Sequence, residues 1–135
     1  MIEPMKGKER DLKLANELRE NFIKSYKGNE RAFEELINGL GDDCLEKLVF
    51  RLKGEEKINL YKDYNQLKEI AAEVRANANG EVFELVCQLD EARTWINDNG
   101  KYKGLVFETL YKVFKQNEKL KAFIAKNTMK ANDAC

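Results

Sequence analysis

The sequence predicts an all-α, single-domain antiparallel bundle or array of five to six helices, and three observations point there. Apolar residues recur at steps of three and four along nearly the whole chain, the spacing that gathers them on one face of a helix. The one proline, Pro4, precedes every periodic segment, so no proline breaks a helix from within. Glycines punctuate the rest, at Gly28, Gly39 with Gly41, Gly54, Gly80, and Gly100 with Gly104. A chain of 135 residues, 43% apolar and 36% charged, has the material for one core and a charged surface.

The elements follow in order. Residues 8–27 place Leu12, Ala15, Leu18, Phe22 and Tyr26 on one stripe. Residues 30–38 read as a short helix with Phe33, Leu36 and Ile37, and residues 42–53 as another, opened by an Asp42 cap and lined by Leu45, Leu48, Val49 and Leu52. From Asn59 or Asp63 a stripe runs through Leu67, Ala71, Val74 and Ala78, with Asp63 and Gln66 spaced as a capping box. A fifth helix over 81–98 carries Val82, Leu85, Val86, Leu89 and Ile96, and a sixth over roughly 103–127 carries Val106, Leu110, Val113, Leu120 and Ile124. Asn-Gly at 38–39, 79–80 and 99–100 follows helical spacing each time, which favours a helix C-cap over a hairpin turn. Residues 54–61 suit a short extended piece as well as a helix, and 1–7 and 128–135 read as flexible tails.

Composition narrows the chemistry. The chain has no histidine, which removes the commonest general base, the commonest zinc ligand and every Ser-His or Cys-His pair. Cys44, Cys87 and Cys135 are far apart and in no CxxC spacing; the first two sit in apolar patterns and read as small core residues. The expectation is an intracellular, cytoplasmic and soluble protein with reduced thiols, no cofactor and no metal, and no apolar run approaches the ~20 residues of a membrane span. Net charge is zero, but unevenly spread: 28–100 carries 9 basic and 16 acidic residues, and 101–135 carries 8 and 3.

Three stretches bear on function. "WINDNGKYKG", residues 95–104, aligns with neither a calcium loop nor a phosphate loop and reads as a turn between helices. The last helix sets Lys112, Lys115, Lys119, Lys126 and Lys130 within roughly 60° of arc, with Leu105 and Phe123 projecting among them. Such a row suits an acidic groove on a partner, or nucleic-acid phosphates with a base stacked on Phe123. Lysine has no planar fork for reading bases and no arginine lies beyond Arg93, so sequence-specific reading is not expected. Glu84, Gln88, Glu91, Trp95 and Asp98 would share one face of the fifth helix, with Trp95 half-buried at its end and a candidate interface anchor.

The expected function is a non-enzymatic protein–protein interaction module, in the manner of a small bacterial or phage-type inhibitor or adaptor. The expected partner-binding residues are Trp95, Lys101, Lys103, Lys112, Lys115, Lys119, Phe123, Lys126 and Lys130. The partner is a protein, one with an acidic surface suiting the lysines, and a homodimer is open. A weak, non-sequence-specific nucleic-acid binder is the alternative, and an enzyme without histidine chemistry a second.

Overall fold

A computed structural model describes residues 4–53, 57–58, 60–126 and 128–129, with side chains described except over 51–64, at 124 and from 126 on. The described residues form an all-α bundle of six helices: α1 Glu9–Tyr26, α2 Glu30–Lys53, α3 Leu60–Cys87, α4 Ala92–Asp98, α5 Lys103–Gln116 and α6 Glu118–Lys126. Two two-residue strands, β1 Lys57–Ile58 and β2 Thr128–Met129, pair antiparallel with Lys57 opposite Met129. An extended piece therefore does occur within 54–61.

Helix α5 is the centre of the bundle. Leu105, Val106, Thr109, Leu110, Tyr111 and Phe114 are all buried on it, because α2 and α3 flank it, with α4 before it and α6 after. Its exposed residues are Lys103, Gly104, Glu108, Lys112, Lys115 and Gln116. Helix α1 packs chiefly on α4, and Phe22 on its inner face is 0% exposed. That ring lies within about 6 Å of Tyr26, Phe33, Phe83, Trp95 and Tyr102, at centroid separations of 5.3, 6.1, 5.6, 5.9 and 5.3 Å. Separations of this size, mostly tilted or edge-on, add to simple area burial.

Several boundaries differ from the sequence reading. Asn38-Gly39 and Asn79-Gly80 end no helix: α2 and α3 run straight through them, so Asp42 and Asp63 lie inside helices and do not open them. The reason is visible in the burial pattern. Phe33, Ile37, Cys44 and Leu48 are buried on one side of α2, as are Val74, Ala78, Val82 and Val86 on α3. A cap at either glycine would have rotated half of that stripe out of the core. In α2 Gly41 also answers a close approach: a Cβ there would collide with the guanidinium of Arg75 on α3, whose Nε donates to Asn38 Oδ1 at 3.0 Å.

Two breaks fall where no glycine marks them. The stretch 81–98 is interrupted at Gln88–Asp90, and 103–127 at Asn117. At the first break the Leu89 carbonyl accepts from Trp95 Nε1 at 2.8 Å and from Arg19 Nη1 at 3.3 Å. At the second, Asn117 adopts an extended conformation and its Oδ1 accepts from Leu120 N–H at 3.0 Å, capping α6. Part of the N-terminal stretch read as a flexible tail is docked. Lys6 donates to Asp90 O and accepts from Ala92 N–H at 2.6 and 2.8 Å, and Met5 is 9% exposed.

Candidate functional site

The lysine row does not survive as one surface. Because the helix stops at Asn117, Lys112 and Lys115 remain on α5 while Lys119 belongs to α6, where it pairs with Glu73 of α3 at 3.4 Å. Lys101 lies in the α4–α5 turn. Lys103 opens α5, nine residues before Lys112, hence about 13 Å along the axis and half a turn around it. All of these lysines are exposed. The side chain of Lys126, and Lys130 altogether, lie outside the described residues. Phe123, expected as an exposed stacking ring, is partly buried and packs on the core, and Leu105 is 7% exposed.

Trp95 is also corrected. It is 0% exposed, enclosed with Phe22, and its one donor is spent on Leu89 O at 2.8 Å. A tryptophan so placed holds the α3–α4 break and presents nothing to a partner. The face of Glu84, Gln88, Glu91, Trp95 and Asp98 is likewise divided, because α3 ends at Cys87 and Glu91 precedes α4.

The loop that follows Trp95 is built as a turn. Asn99, Gly100 and Tyr102 have φ of 58°, 73° and 63°, all left-handed. The Asp98 carboxylate accepts from Tyr102 N–H at 2.6 Å, which occupies the acid on local capping. Among the described residues no group of three or more acidic or thiol side chains is placed to hold a metal ion. The two described thiols are buried. Burial pushes Cys44 up to about 12 and Cys87 up to about 11, so both stay protonated at neutral pH.

What the fold does assemble is a cleft of about 600 Å³ where the α1–α2 turn meets the middle of α3. Its wall is the outer half of the aromatic cluster, Tyr26, Phe33 and Phe83, with Phe33 edge-on to both others at 5.4 Å. Ala76, Asn79 and Gly80 form the α3 side, all within the arc that also holds Phe83 and Glu84. Gly28, with φ of 77°, turns the chain at the lip. Three carboxylates, Glu30, Glu34 and Glu84, rim the opening beside one ammonium, Lys27, a net charge of −2. Asn79 Oδ1 is buried with no hydrogen-bond donor, a cost that buried acceptors usually avoid.

The cleft was not anticipated, yet part of its signal was in the sequence. The core positions Val74, Ala78, Val82 and Val86 step by four across Gly80 without a change of phase. A glycine inside an unbroken stripe weakens its helix by about 1 kcal/mol relative to alanine, which marks it for a packing or functional reason. Volume in this range is ordinary for small ligands or a short peptide segment. Compared with protein-family models, curated proteins and solved structures, the chain matches none, and no described helix is long and apolar enough to cross a membrane.

Proposed function

We propose that the protein is a non-enzymatic association module that seats a segment of a partner protein in the cleft between the α1–α2 turn and α3. One observation supports this reading: a cleft of about 600 Å³ sets Tyr26, Phe33 and Phe83 beside the exposed carboxylates Glu30, Glu34 and Glu84, an apolar wall with a charged lip. The reading moves the contact from the lysines to the opposite charge, since the cleft is acid-rimmed.

The test is a tagged pull-down from native lysate, with and without nuclease, using the wild type and Gly80→Leu. A Cβ at position 80 meets no atom within 4 Å, so leucine fits the backbone, favours the helix and fills the cleft. The expected outcome is a protein partner that survives nuclease and is lost with Gly80→Leu. A partner retained by the variant places the contact elsewhere. Recovery that vanishes with nuclease moves the function to nucleic acid and to Lys112 and Lys115.

A further inference from the structure

We infer that Asn99 is a site of spontaneous covalent modification, the one Asn-Gly pair of this chain that the fold leaves open to deamidation. The reaction needs only water and the chain itself. The backbone nitrogen of Gly100 attacks the side-chain carbonyl carbon of Asn99. An N–C bond forms, the bond to Nδ2 breaks, and the proton lost from the attacking nitrogen passes through solvent to the departing ammonia. Water then opens the cyclic imide at one carbonyl or the other, leaving aspartate or its β-linked isomer. Glycine after asparagine favours the attack, because it has no Cβ to hinder the approach. The chain carries three such pairs, at 38–39, 79–80 and 99–100, so sequence alone does not rank them.

The fold does rank them. Gly39 and Gly80 are interior residues of α2 and α3, where each N–H belongs to the helical hydrogen-bond ladder and each peptide plane is fixed. Turning either nitrogen toward its asparagine would break the helix beside Ile37 or Ala78, both in the core. Asn38 is held further, since its Oδ1 accepts from Arg75 Nε at 3.0 Å, and Asn79 Oδ1 is buried. At 99–100 these restraints are missing. Asn99 is exposed and follows the last residue of α4, with φ of 58° and ψ of 38°. Its own N–H closes the helix on Ile96 O at 3.0 Å, and among the described residues neither its carbonyl nor the Gly100 N–H has a backbone partner. That peptide plane can therefore rotate to bring the nitrogen onto the side-chain carbon without giving up a backbone bond. Either product adds a negative charge beside the exposed Lys101 and Lys103. The β-linked form also inserts a backbone carbon between Asp98 and Tyr102, which takes the Asp98 carboxylate out of register with the Tyr102 N–H.

The experiment ages the folded whole chain at mildly alkaline pH and body temperature, beside a sample kept in denaturing urea. Both are sampled over time, digested with trypsin and followed by mass spectrometry. The three pairs fall in separate tryptic peptides, 32–47, 76–93 and 94–101. In the folded chain, amide-to-acid conversion at Asn99 should outpace that at Asn38 and Asn79 by about tenfold or more, because the helical pairs react only when their helices open. In urea the three rates should converge. Comparable conversion at all three sites in the folded chain, or faster conversion at Asn38 or Asn79, overturns the assignment. So does a folded chain in which Asn99 stays an amide while the urea sample reacts. A preference for Asn99 that is undiminished in urea overturns it too, since the fold would not then be its cause.

Discussion

The same dipeptide meets two fates in this chain. At 79–80 Asn-Gly lies in the middle of a 28-residue helix, and at 99–100 it ends one. The neighbour before each asparagine separates the two cases. Ala78 is 5% exposed and belongs to a stripe that continues to Val82 and Val86, so leaving the helix there would forfeit burial. Asp98 is only partly buried, and its carboxylate captures Tyr102 N–H, so leaving the helix there secures a cap. Asn38-Gly39 follows the first pattern, with buried Ile37 before it. Asn-Gly thus permits a helix end, and the residue before it decides whether the end is taken.

The largest test removes what anchors the second fate. Trp95→Ala deletes a fully buried indole and its bond to Leu89 O, and should cost about 3–5 kcal/mol, read as a large drop in urea midpoint. A loss below about 1 kcal/mol would mean that α4 and its turn are not locked to the core. Next, Gly100→Ala forces a side chain into φ of 73°. The added Cβ meets Leu18 at an ordinary 3.5 Å, so strain in the backbone is the main term, about 1–2 kcal/mol. Asp98→Ala removes the acceptor for Tyr102 N–H and should cost about 1 kcal/mol. Asp98→Asn, which keeps an oxygen there, should recover most of it. If it recovers none, the carboxylate charge and not the bond holds the turn.

The comparison also shows what was legible in the sequence and what was not. The all-α architecture and the burial of Cys44 and Cys87 followed from the 3.6-residue period, because core burial is what that period encodes. The continuity of α2 and α3 was legible too, since buried positions keep helical phase across the glycines, seven apart from Ile37 to Cys44 and four apart from Ala78 to Val82, whereas Asn-Gly by itself suits a helix end. The breaks at 88–90 and 117 were harder to see. Val86, Leu89, Ala92 and Ile96 keep helical spacing across the first, and Val113, Leu120 and Phe123 across the second. Asn117 ahead of Glu118 was the one local hint, an N-cap residue followed by an acid. The cleft depends on two segments distant in sequence, 26–34 and 76–84, and only its glycine was conspicuous. Trp95 misled for the opposite reason. A tryptophan beside a polar turn reads as an anchor for partners until the partner of its own N–H, Leu89 O, is known.

The smallest expected effect is the most discriminating, because it has the opposite sign. Position 80 has ordinary helical backbone, and a Cβ there meets nothing within 4 Å. Gly80→Ala should therefore stabilise the protein by about 0.5–1 kcal/mol, by reducing the freedom of the unfolded chain. Gly39→Ala, in equally open space, should do the same. The reading is an upward shift of the urea midpoint with an unchanged slope, set beside the downward shift of Gly100→Ala. Destabilisation at 80 would mean that the chain turns there after all, which would break the contrast between the two Asn-Gly sites and unmake the α3 side of the cleft. Stabilisation at 80 together with loss at 100 would show that one dipeptide is helix interior in one place and helix end in another.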